Sequence, residues 1–190
     1  MSKSDQTTLV TVLNVRQSGS RSINVEFDLQ NDSLVDEYVL TSQARSSLER
    51  MLSHFQGNSP TRSWTLTGPY GSGKSYYGLF LLNLMGSAQQ SHKKVLKQLK
   101  AVDFILANQV VQSLNHGSTL GMLPIPITGF RASLQECLKH GLSQSLAKLK
   151  KINSIKSLMR ELEHWDSQTE SRQIIQWIKR LAEALKDIGY

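Results

Sequence analysis

An α/β fold, with parallel strands flanked by helices, is what this sequence predicts, and three observations predict it. A short strand pattern, Ser63 to Thr67, runs straight into the glycine-rich string GPYGSGKS and on into the apolar run SYYGLFLLNLM, giving the order strand, loop, buried helix. A second short strand pattern spans Met122 to Gly129. Helical periodicity fills most of the remaining chain, so strands and helices alternate as they do around a parallel sheet.

The elements follow in order. Leu9, Val10, Val12, Leu13 and Val15 form an apolar stretch, QSGSRS supplies turn residues, and Ile23, Val25 and Phe27 alternate with polar neighbours, the pattern of a β-hairpin with a longer loop. Leu48, Met51, Leu52 and Phe55 fall at i, i+3, i+4 and i+7, predicting a helix over about 41–55 that GNSPTR ends. After the glycine-rich string, the buried helix stops near Gly86. A helical pattern covers 92–115 and HGSTLG interrupts it. MLPIPITG is the second strand, at an edge because Pro124 and Pro126 lack donors for a ladder. Leu134 to Leu149 and Ile155 to Leu162 trace two more helices. Ser167 and Glu170 read as a capping box opening a last helix through Ile188, with Gly189 its stop signal.

The chain has 190 residues, with 39% hydrophobic and 19% charged, the composition of a globular chain with one main core. One cysteine, Cys137, excludes an internal disulfide and a Cys-ligated zinc cluster. No apolar run reaches the length of a membrane span and MSKSDQTTLV lacks the pattern of a signal peptide, so a cytoplasmic location and no membrane partner are expected. His92, His116, His140 and His164 are evenly spaced, but the segments between them share nothing else and none forms an i, i+4 pair, so no metal site is expected of them. The net charge of +7 is uneven. Residues 86–165 hold eleven basic and four acidic residues, and the two flanking segments balance. Lys93, Lys94, Lys97 and Lys100 form one cluster; Lys148, Lys150 and Lys151 form another. Such clusters are either the solvated face of amphipathic helices or a surface for nucleic-acid phosphates.

The chemistry rests on Gly68-Pro69-Tyr70-Gly71-Ser72-Gly73-Lys74-Ser75, a complete G-x-x-x-x-G-K-[ST], the P-loop or Walker A pattern. A polyphosphate is wrapped by backbone N–H groups only where glycines remove Cβ atoms and permit positive φ. The helix that follows presents unpaired N–H groups and a partial positive charge to the same anion. Lys74 adds a full charge for the β- and γ-phosphates and is the catalytic candidate; the Ser75 hydroxyl is the candidate Mg²⁺ ligand. Nucleotide binding, with ATP and Mg²⁺ as cofactors, is therefore assigned to residues 68–76, Tyr76 included. Tyr70, Tyr76, Tyr77 and Trp64 lie close enough along the chain to stack on a base, although core packing is the commoner use of such rings. No apolar run followed by Asp-Glu occurs after Ser75 to serve as the Walker B acid. Leu34-Val35-Asp36-Glu37 precedes the loop, and Asp103 sits within a helical pattern.

At GPYGSGKSYYGLFLLNLM, preceded by TSQARSSLERMLSHF and followed by LPIPITGFR, the chain resembles the ATPase modules of the AAA+ and STAND group, particularly the large P-loop ATPases of prokaryotic antiphage (BREX) defence systems. The resemblance covers about residues 36–135. It implies an AAA+-like P-loop core, incomplete here, with residues 1–40 as a small β-hairpin extension, 41–190 as the N-terminal part of the ATPase domain, and a helical insert around 86–120. It implies Lys74 and Ser75 as phosphate and Mg²⁺ contacts, ring-forming homo-oligomers or defence-system effector subunits as partners, and hydrolysis when Walker B, sensor and arginine-finger residues are supplied. A helix stopping at Gly189-Tyr190 falls where the next parallel strand is due, so the chain is expected to be the N-terminal portion of a longer ATPase. Two other readings stay open: a non-catalytic nucleotide-binding or interaction subunit, and a small-molecule or nucleotide kinase.

Overall fold

The structure, a computed structural model, describes residues 22–29, 34, 38–56, 63–86, 90–114, 120–166 and 168–190. Among them every regular element is helical and no strand pairs with another, which overturns the expected α/β fold with its parallel sheet and β-hairpin. The helices are α1 (Val25–Asp28), α2 (Ser42–Gln56), α3 (Lys74–Met85), α4 (Gln90–Val102), α5 (Phe104–Leu114), α6 (Leu134–Leu146), α7 (Asn153–Glu163) and α8 (Ser171–Asp187), with a 3₁₀ turn at Ala147–Leu149.

Each lost strand has a local cause. Val25 to Asp28 coil because Asn24 caps them: its Oδ1 accepts from the Glu26 and Phe27 N–H groups at 3.2 and 3.3 Å, and Asp28 Oδ2 accepts from the Asn24 N–H at 2.8 Å. The alternation of Ile23, Val25 and Phe27 therefore leads into a turn of helix, and the rest of the expected hairpin lies outside the described residues. Ser63–Thr67 is extended, but no described strand lies beside it. Trp64 instead turns onto Phe55, ring centroids 5.6 Å apart. The second extended segment, Gly121 to Phe130, lacks the N–H donors of Pro124 and Pro126. Its Met122 N–H goes to Met85 O at 3.1 Å, and the neighbouring Leu120 N–H goes to Gly189 O at 2.7 Å, so these donors close helix ends rather than a ladder.

Two helical cores result. In the first, α2 to α5 bury Leu48, Leu52, Leu84, Val95, Leu106 and Val110. Thr41 opens α2 by accepting from the Ala44 N–H at 3.2 Å. The expected single helix over 92–115 is two, broken at Asp103, whose Oδ1 accepts from the Leu106 N–H at 3.0 Å and so caps α5. In the second core, α6, α7 and α8 bury Leu142, Leu146, Ile155, Leu162, Trp177 and Leu181. Ser133 and Glu136 form a capping box at the start of α6. The last helix opens at Glu170, whose N–H donates to Gln173 at 3.2 Å; Ser167, its expected partner, lies outside the described residues.

The extended segment 121–130 runs between the cores as a strap. Pro124 meets Gly86 at the end of α3, where a Cβ would stand 2.9 Å from the proline ring. Farther on, Gly141 of α6 lies so close that a Cβ would stand 2.7 Å from both Ile127 and the Pro126 carbonyl oxygen. Glu26 of α1 joins the same junction, accepting from Thr128 Oγ1 and pairing with His140 at 3.2 Å. Among the described residues no helix is long and apolar enough to cross a membrane.

Candidate nucleotide-binding site

The loop 68–73 turns sharply because two of its glycines adopt backbone that L side chains resist. Gly71 has φ 78° and Gly73, the residue capping α3, has φ 81°. This left-handed cap aims the chain into α3 at Lys74, and the first intrahelical bond runs from the Tyr77 N–H to the Gly73 carbonyl at 2.9 Å. α3 is hydrophobic nearly all round and buries Leu79, Phe80 and Leu84, so the loop at its head is fixed to the first core by packing. Its first N–H groups, orphaned as at any helix start, open onto the loop.

Lys74 folds its ammonium back over that loop. Nζ donates to Gly68 O at 2.9 Å, to Pro69 O at 2.7 Å and to Ser72 Oγ at 3.3 Å. These neutral acceptors are exchangeable, since phosphate oxygens make shorter and stronger bonds to an ammonium.

Beside the loop lies a cleft of about 670 Å³, within the size range of small-molecule sites. One wall is Gly68, Pro69, Ser72, Gly73, Lys74 and Tyr76. Tyr38, Thr41, Ser47, Leu66 and the buried Tyr77 line the rest. Of the residues the sequence assigned to nucleotide, Tyr70, Gly71 and Ser75 do not line it. Tyr70 is 97% exposed, and Ser75 stands exposed at the second position of α3. Trp64 is likewise elsewhere, packed on Phe55 and His54.

The tyrosines hold this lining together. Tyr38 lies edge-on to Tyr76 at 5.2 Å and stacks on Phe80 at 4.6 Å; Tyr76 Oη donates to Leu34 O. Burial, with Tyr77 and Tyr76 close by, pushes the Tyr38 phenol up to about 12, and burial raises Tyr77 as well. The Tyr38 and Tyr77 phenols are thus neutral near pH 7. Tyr77 Oη is buried, and its contact with the Ser47 side chain falls short of ordinary hydrogen-bond geometry. The sequence did not reveal Tyr38, Thr41 and Ser47 as site residues, because they reach the loop only through the packing of α2 on the first core.

No Asp or Glu lines the cleft among the described residues. Asp103 is committed elsewhere. It accepts from Arg45 Nε at 2.6 Å, and its hydrogen bond from the Leu106 N–H, aided by Arg45, holds its carboxyl below the ordinary range. Asp36 and Glu37 lie outside the described residues. The regularly spaced histidines serve separate ends: His92 bonds Leu84 O at 2.7 Å, His140 pairs with Glu26, and His164 bonds Arg160 O at 2.7 Å, with His116 outside the described residues. No family model matches the chain, and neither a curated protein nor a solved structure does.

Proposed function

We propose that this chain binds ATP with Mg²⁺ at the loop 68–75, as part of a P-loop ATPase. The observation that carries the proposal is the loop itself: a complete Walker A string whose Gly73 takes a left-handed turn into the N-terminus of a buried helix, with Lys74 Nζ held over the loop. The loop amides and the head of α3 hold phosphate oxygens, and Lys74 exchanges its loop carbonyls for the β- and γ-phosphates. Ser75, exposed at the second position of α3, would supply a hydroxyl ligand to the metal. Mg²⁺, when bound, neutralises phosphate charge. Tyr38, Leu66 and Tyr76 offer the nucleoside an apolar and aromatic wall.

Hydrolysis needs a carboxylate to orient water, and none lines the cleft among the described residues, so in this proposal the catalytic acid and arginine finger come from other residues or from partner subunits. The same observation favours a second reading, nucleotide binding without turnover. The partners proposed are further copies of the chain or an effector subunit, in the setting of prokaryotic antiphage defence that the sequence resemblance implies, and nucleic acid through the basic residues of 86–165.

The test is ATP binding by calorimetry beside phosphate release, for the wild type and Lys74→Ala. Losing a charged hydrogen-bond donor to phosphate lowers affinity about 10- to 100-fold. The fold is expected to stay intact, because Lys74 bonds only to its own loop. Unchanged ATP affinity in Lys74→Ala overturns the assignment, and binding without phosphate release selects the second reading.

A further inference from the structure

Among the basic residues of 86–165, the two clusters differ in shape. On α4, Lys93, Lys97 and Lys100 are exposed at i, i+4 and i+7, a stripe opposite the buried Val95 and Leu99, as the outer face of an amphipathic helix requires. Near the start of α7 the arrangement is concave. Lys150 and Lys151, from the turn before the helix, and Lys156 and Arg160, one helical turn apart on it, line a single groove of about 530 Å³ with Met159 and Glu163.

Among the described residues none of these four cations has an ion-pair partner, although carboxylates are at hand. Glu161, on the same helix, is taken by Arg180 in a two-pronged pair at 2.7 Å for each bond. Four cations against one carboxylate leave a net charge of about +3 in the groove, and concave walls concentrate such a field toward an incoming anion. A groove of this volume exceeds what a single phosphate fills. No aromatic side chain lines it, so it lacks the stacking platform on which single-stranded bases rest.

We propose that this groove binds the sugar–phosphate backbone of duplex nucleic acid, and that the α4 lysines are only a solvated face. The inference rests on the reading that nucleic acid is a partner, and it locates the contact on the second helical core, whereas the nucleotide cleft belongs to the first. Contacts to phosphate from lysine and arginine carry no sequence information, so binding is sequence-independent and falls steeply with salt.

The test is fluorescence anisotropy with labelled duplex DNA of mixed sequence, on the full chain, across a salt series. For Lys150→Ala/Lys156→Ala the slope of log affinity against log salt is expected to fall by about 2, with roughly tenfold or greater weakening at low salt. Lys93→Ala/Lys97→Ala is expected to stay within about threefold of the wild type, because charges outside the contact are screened. All four residues are exposed, so both variants are expected to keep the wild-type melting temperature. An α4 variant that weakens binding as much as the groove variant overturns the location and leaves the partner standing. Equal competition by poly-glutamate, or preference for single-stranded DNA, overturns duplex recognition. A wild type that binds no duplex at low salt removes both.

Discussion

Tyr77 shows how a single polar atom can be a cost in a well-packed element. Its ring is 6% exposed and packs against Phe80 and Tyr38, yet its hydroxyl is buried with only a weak contact to Ser47. A buried donor so poorly satisfied contributes little, so removing it is neutral or favourable. Tyr77→Phe is therefore expected to melt at or slightly above the wild-type temperature, and a loss larger than about 1 kcal/mol would show that the hydroxyl has a partner after all. At this scale the sequence was legible where a residue type dictates its own backbone. Gly71 and Gly73 announce positive φ, and both take it. It was silent where a role depends on a neighbour supplied by packing, as for Ser47 and Thr41 at the cleft or the buried hydroxyl of Tyr77 beside Ser47.

Helices were legible as elements because their signals are local. The period of Leu48, Met51, Leu52 and Phe55 sits within one helix, so the residues that make the pattern also make the element. Strands were not, since a strand is defined by a partner that its own residues do not name. SWTLT has the right residues and remains extended without one, and Asn24 outweighed the alternation at Ile23–Phe27 by bonding its neighbours. The α7–α8 pair carries a pH-dependent contact at its edge. Its apolar sides interlock at Leu158, Leu162, Trp177 and Leu181, Trp177 Nε1 donates to Leu158 O at 3.0 Å, and Arg180 clasps Glu161 at the solvent edge. Arg180 holds the Glu161 carboxyl below its ordinary value of 4.5. A carboxylate with a lowered folded-state pKa stabilises the fold above its unfolded pKa and loses that contribution as pH falls through the folded value. Arg180→Ala is therefore expected to lower the melting temperature slightly at pH 7, slightly because the pair is exposed and screened. The gap between variant and wild type should close below pH 4.5 as Glu161 protonates. A gap unchanged down to the acid limit would mean that Arg180 contributes packing rather than charge.

At the scale of the molecule, the substantial helix-to-helix contacts fall within each core, α2 to α5 or α6 to α8, apart from those of α1 on α3. The strap 121–130 and the Glu26 junction join the cores through narrow contacts at Gly86, Gly141 and His140. Apolar burial is the main source of folding stability, so two cores with a thin join are expected to open as separate cooperative units. Every residue lining the cleft beside the loop 68–73 belongs to the first core or to the segments leading into α2 and α3. A ligand that binds only the folded first core stabilises that unit by about 2.7 kcal/mol at a hundredfold excess over its dissociation constant, and it reaches the second only as far as the strap transmits it. Hydrogen exchange with and without Mg-ATP separates the cases. Added protection is expected in α2 to α5, strongest at the head of α3, with α7 and α8 exchanging at their unliganded rates. Equal protection in both cores would show that strap and junction couple them into one unit, and the nucleotide state would then reach the basic groove on α7 directly.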